Sequence, residues 1–428
     1  MIGKKIYNFA KELWPINRSL SGEGVRETLK KIKKEIPELK LLKVKSGTKV
    51  FDWIVPEEWN VREAWIKTPD GKKICNFKEN NLHLMGYSVP IHKKMNLDSL
   101  KKNLYSLKKQ PHAIPYVTSY YKKNWGFCIS ENNKKKLKEG IYEVFISSKF
   151  NRGNLDYGEL IIKGKLKKEV FLSTNICHPS MGNNELSGIC VTTFLAKWIS
   201  SLKKTKYSYR IIFVPETIGS LVYLKQNLKV MKKNIIAGFN VVCIGDDNNY
   251  SYLPSRNGKT YSDIIAKHIL KNTSSKYKTY TWLNRGGDER QYCSPKIDLP
   301  IASIMRSKYE TFKEYHTSLD NLKFISARGL QGGFNALKNA IMCIENNFIP
   351  ITKNFGEPQL NKRGLYWDFV LEKNKDQNVK LLVNFLSQSD GKNNLIDIAE
   401  LCEVPVWDLY SISNILIKHN LIKVKNFI

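Results

Sequence analysis

The sequence predicts an α/β fold in which helices flank a mixed β-sheet. A buried strand over Val170–Ile176 runs into a helix over Asn184–Lys203, whose apolar residues recur at helical spacing. The segments Ser208–Glu216 and Asn234–Gly245 have the composition of two further strands, and each leads to an acidic residue. A strand over Ile301–Arg306 precedes a charged loop. Strands that alternate with helices in this way are typical of a layered α/β domain.

Residues that suit a metal site follow these strands. In open α/β sheets, ligands bind beyond the carboxyl ends of the strands. An early histidine, a glutamate, an aspartate and a late histidine in that order would supply zinc ligands and a general base. The residues concerned are His178, Glu185, Glu216, Asp246 and His316. Each also suits a plainer role: a hydrogen-bonded loop for the histidines, a helix start for the glutamates, and a turn for the aspartate.

In combination, these motifs resemble those of the zinc aminopeptidases, in which two metals share a bridging carboxylate. A closer resemblance is to the aminopeptidase-like proteins of bacterial surface-polysaccharide gene clusters, which carry an inserted β domain and a C-terminal winged helix. The resemblance covers nearly the whole chain and implies a zinc-aminopeptidase-like (phosphorylase/hydrolase-like) mixed sheet. Beyond the site, it rests on NRSLSGEGVRETL (Asn17–Leu29), SGTKVFDWIVPEEWNVREAWI (Ser46–Ile66), TSYYKKNWGFC (Thr118–Cys128), DDNNYSYLPSRNG (Asp246–Gly258) and GGDERQYCSP (Gly286–Pro295).

The chain departs from the two-metal pattern at three positions. Asn184 stands where those enzymes have the bridging aspartate, Thr217 stands where they have a glutamate ligand, and Val242 stands where an aspartate ligand is expected. The remaining candidates are His178, Asp246 and His316, with Glu185 as a fourth, which is the number of ligands for one zinc ion. Glu216, the first residue of the Glu-Thr pair, is predicted to act as the general base.

Further residues are predicted to bind substrate. The resemblance places a dense polar group from Gly286–Pro295 and its surroundings at the site, although an ordinary charged loop would look the same in the sequence. Arginines there would suit a carboxylate or phosphate, because the planar guanidinium donates two parallel hydrogen bonds. The predicted substrate-binding residues are Asn184, Arg256, Arg285, Asp288, Arg290 and Tyr292.

The chain is predicted to form three domains. The catalytic domain comprises residues 1–49 and 128–349, and a small β domain rich in tryptophan, tyrosine and proline is inserted at residues 50–127. Residues 364–428 show the helix order of a winged helix-turn-helix. The third helix of this module carries few arginines, so an interaction or homo-oligomerisation role is favoured over reading DNA.

Composition restricts location and partners. The net charge of +31 comes mostly from dispersed lysines that lack the arginine and aromatic interleaving of a nucleic-acid groove, so nucleic acid is not expected as a partner. No apolar run is long enough to span a membrane, the N-terminal segment is predicted to be an amphipathic helix, and a cytoplasmic protein is expected. The eight cysteines are scattered singly, which is typical of reduced thiols.

The predicted function is hydrolysis of an amide or peptide-like bond in a small molecule by a zinc enzyme of aminopeptidase type. The resemblance implies a role in surface polysaccharide biosynthesis, where the substrate could be sugar-linked. Two alternatives remain open from the sequence. One is a non-catalytic descendant that binds a ligand in the old pocket, and the other is a winged-helix regulator that senses a sugar metabolite.

Overall fold

The computed structural model of the protein describes residues 1–365 and 375–428. The chain divides into two compact units: residues 1–262 with 278–335, and residues 263–277 with 336–428. The first unit contains the predicted site, and the second contains the predicted winged helix. None of the described helices combines the length and apolar character that crossing a membrane requires.

An eight-stranded mixed sheet forms the centre of the first unit, as the sequence predicts. Its four central strands run parallel, so their carboxyl ends lie along one edge of the sheet. Antiparallel strands extend the sheet on both sides. In spatial order the strands are Lys40–Lys45, Asn154–Ile162, Ser208–Val214, Glu169–Asn175, Ile235–Asn240, Ile301–Met305, Ser251–Leu253 and Lys278–Thr279.

The helix after the central strand begins in an unusual way. A π-helical turn, Gly182–Ser187, precedes the α-helix Gly188–Ser201, so the regular helix starts later than predicted. Gly188 is needed at the junction, because a Cβ atom there would lie 2.3 Å from the carbonyl oxygen of Val241. The turn therefore packs directly against the edge of the sheet, which is where the metal site is predicted.

Helices cover the sheet through amphipathic faces. In Ile2–Leu13, the buried residues Ile6, Phe9, Ala10 and Leu13 recur at helical spacing, which explains why the predicted N-terminal amphipathic helix forms. The other α-helices outside the winged helix are Glu23–Glu35, Leu97–Lys101, Glu131–Lys134, Ile218–Asn234, Tyr261–Thr273, Glu289–Tyr292 and Ala327–Asn346. Short 3₁₀ turns occur at Asn81–His83, Trp282–Asn284 and Asn361–Arg363.

The inserted segment forms its own antiparallel sheet, which is larger than predicted. The spatial order is Lys73–Ile74, Glu58–Lys67, Ile141–Asn151 and Ile91–Asn96. The predicted insert ended at residue 127, but among the described strands Ile141–Asn151 pairs with two strands of the small sheet and with none of the large one. Two short strand pairs complete the segment: Lys49–Val50 with Trp53–Ile54, and Leu104–Tyr105 with Phe127–Cys128.

The second unit contains the winged helix. Three helices, Lys375–Ser387, Leu395–Leu401 and Asp408–Lys418, accompany an antiparallel pair of strands, Phe348–Thr352 and Ile422–Asn426. The first of these strands precedes residue 364, the predicted start of the module. Residues 366–374, which belong to the predicted module, lie outside the described residues.

The third helix of this module has a polar exposed face with little positive charge. Asp408, Ser411 and Asn414 are exposed, and Lys418 is the basic residue of the helix. Ser413, by contrast, is buried, and its hydroxyl donates to the Tyr410 carbonyl at 2.9 Å. This surface offers few groups for reading DNA bases.

We predict that neutral His268 stabilises the second unit. Its Nδ1 lies 2.5 Å from Glu400 Oε1, and its Nε2 accepts the Val406 N–H at 3.0 Å. Burial lowers the pKa of His268 although Glu400 opposes the shift. The unfolded chain therefore takes up a proton near pH 6.5 that the folded chain excludes, and stability falls as the pH falls below that value.

Hydrogen exchange of residues 395–418 at about pH 5.5 and pH 7.5 tests this prediction. After correction for intrinsic rates, we expect faster exchange at the lower pH. A His268→Ala variant should lose protection at pH 7.5, and its difference from wild type should shrink at pH 5.5. A difference that stays constant would contradict a role for the neutral imidazole.

Candidate active site

His178 lies directly after the central strand and is held by Glu185. The Glu185 carboxylate accepts the backbone N–H groups of His178 at 2.5 Å and Cys177 at 2.6 Å, and its Oε1 lies 3.3 Å from His178 Nδ1. Nδ1 is therefore directed towards Glu185, which leaves Nε2 for other partners. Burial lowers the pKa of His178, but Glu185 and Glu216 outweigh this effect and the pKa lies above its ordinary value.

A buried arginine that the sequence analysis did not single out supports this arrangement. Arg18 Nε donates to the His178 carbonyl at 2.9 Å and lies 3.8 Å from Glu185 Oε2. Its Nη1 donates to the Leu13 carbonyl at 2.8 Å. The guanidinium side chain is fully buried, so Glu185 compensates its charge. Glu185 thus positions His178, and its oxygens are already engaged.

Glu216 reaches the site from a strained turn. Thr217 has φ 64° and ψ −71°, and the Ile218 N–H donates to the Glu216 carbonyl at 2.8 Å, which defines a rare γ-turn. Asp288 accepts the Thr217 N–H at 2.7 Å, and Arg290 Nη2 donates to Thr217 Oγ1 at 2.7 Å. These two bonds hold a backbone conformation that a non-glycine residue rarely adopts.

The turn directs the Glu216 carboxylate towards His178. Glu216 Oε2 lies 3.7 Å from His178 Nε2, and the side chain is 23% exposed. Burial raises the pKa of Glu216, and the positive charges of His178 and Arg290 oppose the shift. Asp288, behind the turn, is fully buried, and its burial raises its pKa to about 8. Asp288 therefore supports the turn.

His316 completes the group from a distant part of the chain. Its ring centroid lies 5.4 Å from that of His178 and 3.9 Å from that of Tyr315, on which it stacks. Its Nε2 is buried and finds no hydrogen-bond partner in the described part of the chain. Burial, reinforced by His178, lowers the pKa of His316 to about 3. A buried, neutral and unpaired imidazole nitrogen is the chemistry expected of a metal ligand.

The candidate site contains a cavity of about 290 Å³. His178, Glu216 and His316 line it together with Arg290. The inserted segment supplies an aromatic wall that includes Trp53, Tyr116, Tyr120 and Tyr121. The hydroxyls of Tyr116 and Tyr120 lie 2.8 Å apart, and burial raises the pKa of both phenols well above the ordinary value, so both stay protonated.

Asp246 lies outside this cavity. Its Oδ2 accepts from Asn183 Nδ2 and the Ser307 N–H, both at 2.9 Å. Its Oδ1 accepts the Asn248 N–H at 2.8 Å and the Ser307 hydroxyl at 3.1 Å. The carboxylate is fully buried and saturated with hydrogen bonds. The structure therefore does not bring Asp246 to the two histidines, contrary to the prediction that it is a ligand.

Asn184 is buried behind the cavity and does not line it. Asp320 accepts the backbone N–H groups of Asn183 at 2.6 Å and Asn184 at 2.9 Å, and burial raises its pKa to about 7. The Asn184 side-chain oxygen accepts from the Cys243 thiol at 3.6 Å. The structure thus gives Asn184 a place in the π-helical turn and no access to a substrate in the cavity.

Three other predicted substrate-binding residues lie away from the cavity. Arg256 forms an exposed ion pair with Asp298 at 2.7 Å. Arg285 is exposed and does not line the cavity. Tyr292 is fully buried, and its hydroxyl lies 2.7 Å from that of Ser173 in the central strand. Of the predicted substrate-binding residues, Arg290 lines the cavity, and Asp288 supports the turn beside it.

One other group resembles a metal site by distance. Within residues 1–365 and 375–428, Cys177, His178 and Glu185 form the one trio of potential ligands whose donor atoms all lie within 4.8 Å. However, the Glu185 oxygens already accept backbone N–H groups. Burial also raises the pKa of the Cys177 thiol well above its ordinary value, which disfavours the thiolate that binds metals. We therefore interpret Glu185 as a residue that positions His178, and we do not interpret the trio as a metal site.

Family models match nearly the whole chain. The model described as Domain of unknown function (DUF4910) matches residues 7–347, and a winged helix-turn-helix model matches residues 349–424. The chain belongs to the DUF4910 family. A curated relative from Clostridium acetobutylicum is 46% identical over 400 residues, which are 93% of this chain and 91% of the relative. Its name describes a polysaccharide biosynthesis protein with an aminopeptidase-like domain.

Solved structures support the same fold. A crystal structure of a protein from Clostridium acetobutylicum is 43% identical with a TM-score of 0.93, and the match covers 99% of this chain and 97% of that one. A zinc aminopeptidase from Bacillus subtilis is similar with a TM-score of 0.56 at 14% identity, covering 80% of this chain and 94% of that one. The resemblance predicted from the sequence is confirmed, as are the aminopeptidase-like fold and the winged helix.

Proposed function

We propose that this member of the DUF4910 family is a zinc-dependent hydrolase that cleaves an amide bond of a small molecule. His178, His316 and Glu216 are the proposed zinc ligands. The observation that carries the proposal is the unpaired, buried Nε2 of His316, whose ring lies 5.4 Å from that of His178. A buried polar nitrogen normally has a bonding partner, and a bound metal ion would be that partner for His316 Nε2.

The proposed ligand set revises the one predicted from the sequence. Asp246 and Glu185 are left out because their oxygens are engaged elsewhere. Glu216 changes from general base to ligand because its Oε2 lies 3.7 Å from His178 Nε2. Two imidazoles and one carboxylate form a common set in catalytic zinc sites, where the fourth position is left to water. Zinc in such a set supplies a water whose pKa falls to about 7.

The tyrosine pair provides the second part of the proposed chemistry. Tyr116 packs against both histidine rings, with each pair of ring centroids 5.2 Å apart. Its hydroxyl and that of Tyr120 remain protonated and share one hydrogen bond, so one O–H is left to donate into the cavity. We assign this O–H to the oxygen that gains negative charge when an amide carbonyl is attacked, because a preoriented donor stabilises such a charge.

A second candidate function is ligand binding without catalysis, either alone or coupled to the winged helix as a metabolite sensor. It is favoured by Asn184, which replaces a charged bridging ligand. Among the described residues, moreover, no trio from the cavity has all its donor atoms within 4.8 Å. This alternative predicts a protein that binds its ligand but holds no zinc at His178 and His316.

The Glu216→Gln variant tests the proposal. Because the proposal makes Glu216 a ligand, we expect this variant to lose most of its zinc when metal is measured after gel filtration. Asp246→Asn should retain its zinc, and Glu310→Gln, whose parent side chain is 62% exposed, is a control of the same residue type. A Glu216→Gln protein that keeps its zinc but loses turnover would restore Glu216 as general base. Loss of zinc in Asp246→Asn would restore the ligand set predicted from the sequence.

A further inference from the structure

We infer that the cavity takes an N-acylated sugar that carries an anionic group, and not the free amino end of a peptide. This inference rests on the proposed function, because it names the substrate of the same site. Three features of the cavity support it: an aromatic corner at its mouth, an accessible cation inside it, and, within the described part of the chain, no carboxylate other than the proposed ligand Glu216 to pair with an ammonium group.

The aromatic corner comes from the inserted segment. Trp53 and Tyr121 both line the cavity, their ring centroids lie 5.9 Å apart, and their planes meet at 61°. The Tyr121 hydroxyl donates to the Ile54 carbonyl at 3.1 Å, which fixes that ring. Nevertheless, Trp53 is 39% exposed and Tyr121 is 53% exposed. Two exposed aromatic residues that are held in place at a cavity mouth mark a binding surface.

The geometry of this corner suits a sugar ring. A pyranose has an apolar C–H face that packs on an aromatic ring and polar edges that need hydrogen-bond partners. The indole N–H of Trp53 makes no hydrogen bond to the part of the chain that the structure describes, so it is available to a ligand hydroxyl. Thr118 and Thr217 add polar groups to the cavity lining. One cavity thus offers both an apolar face and polar edges, as small-molecule sites do.

The charges in the cavity favour an anion. Arg290 is exposed and lines the cavity, and its bond to Thr217 engages a single N–H of the five that a guanidinium carries. The remaining donors suit a carboxylate or a phosphate. The overall charge of +31 adds long-range attraction for such groups.

Among the residues that the structure describes, a free amino group finds no comparable partner. Glu216 is the one carboxylate among the described residues that line this cavity, and the proposed function places it at the metal. An ammonium group would therefore enter beside Arg290 without a carboxylate to pair with, which is unfavourable. An N-acyl nitrogen is neutral and avoids this penalty. The volume of about 290 Å³ is at the small end of ligand sites, which suits one sugar unit better than an extended peptide.

The proposed reaction is hydrolysis of the N-acyl group. The oxygen of water forms a bond to the acyl carbon, and the C–N bond breaks. The nitrogen takes up one proton of the water and leaves as the amine of the sugar, the acyl group leaves as a carboxylate, and the second proton of the water is released to the solvent. Water is the only co-reactant, so the step needs no oxidant or reductant.

Direct binding measurements on the full-length protein test this inference. The probes are N-acetylmuramic acid, N-acetylglucosamine 1-phosphate, neutral N-acetylglucosamine and leucinamide, followed by saturation-transfer NMR and calorimetry. We expect the anionic sugars to bind about tenfold more tightly than the neutral one, and leucinamide to bind least. Comparing the carboxylate with the phosphate sugar then identifies which anion Arg290 prefers.

Two variants separate the parts of the site. Trp53→Ala should weaken binding of all three sugars about tenfold. Arg290→Gln should remove the preference for the anionic sugars and leave the neutral one unchanged. Trp65→Ala is the matched control, because Trp65 stacks on Phe145 at 5.1 Å and does not line the cavity.

Stronger binding of leucinamide than of any sugar, or sugar binding that Trp53→Ala leaves unchanged, would overturn the inference. Repeating the titrations after a chelator has removed the metal distinguishes failure of the sugar-binding inference from failure of the proposed function. Sugar binding through Trp53 and Arg290 does not require zinc, whereas the proposed function fails only if zinc does not bind at His178 and His316.

Discussion

Replacement of Glu185 with alanine is expected to lower the free energy of unfolding by about 3–5 kcal/mol, because removing one partner of a buried ion pair leaves an uncompensated charge. The partner here is Arg18, whose side chain is fully buried and lies 3.8 Å from the carboxylate. The substitution also removes the acceptor for the N–H groups of Cys177 and His178. Each unsatisfied buried donor adds its own penalty.

Urea denaturation of the first unit measures this effect. A matched control is Glu35→Ala, because Glu35 pairs with Lys197 at 2.8 Å on the surface, where an ion pair contributes about 0–1 kcal/mol. A loss below about 1 kcal/mol for Glu185→Ala would show that Glu185 does not hold the His178 turn.

Replacement of His316 with alanine is expected to weaken zinc binding more than the loss of a supporting residue does. Losing a residue that only supports a metal ligand typically weakens binding about 10–100-fold. The larger loss is expected because the variant removes a proposed ligand with a buried and otherwise unpaired Nε2. In the presence of a chelator, the variant should fold as wild type does. Zinc affinity is measured by competition with a fluorescent chelator.

His92→Ala is the control of the same residue type, because His92 is 64% exposed and pairs with Glu143 outside the cavity. Equal zinc affinity in the His316→Ala and wild-type proteins would remove His316 from the ligand set. Equal losses in His316→Ala and His92→Ala would show that the effect is not specific to the cavity.

The sequence predicted those parts of the site that follow from strand order. His178 follows a buried strand, and parallel strands place their carboxyl ends at one edge, so the positions of His178 and Glu216 could be expected to converge. The second histidine was found through a motif that resembles the aminopeptidase pattern. Periodicity and strand order were therefore enough for the fold class and for His178 and Glu216, whereas His316 and Arg290 came from the resemblance.

Asp246 shows why strand order could not predict which candidate ligands line the cavity. The strand expected to reach Gly245 ends at Asn240, and Cys243 takes a positive φ of 49° in the irregular segment that follows. The chain turns there, and the Asp246 carboxylate faces Asn183 and Ser307. Apolar composition continues through this segment, so a strand pattern could not show where the strand stops.

The aromatic wall and the strained turn depend on contacts that the local sequence does not contain. Tyr116 meets His178 and His316, which are more than sixty residues away along the chain. The positive φ of Thr217 depends on Asp288 and Arg290, which lie on a different segment. A sequence pattern within one short segment cannot reveal either kind of contact. The tyrosine-containing motif Thr118–Cys128 was nevertheless a signal that the inserted segment is unusual.

The metal content of the wild-type protein tests the central claim most directly. Protein purified without chelator, supplied with excess zinc and then freed of unbound metal is analysed by mass spectrometry for zinc per chain. We predict about one zinc ion per chain, reduced to near zero in the His178→Ala, His316→Ala double variant. Retention of zinc in the double variant, or no zinc in the wild-type protein under these conditions, would contradict the proposed metal centre.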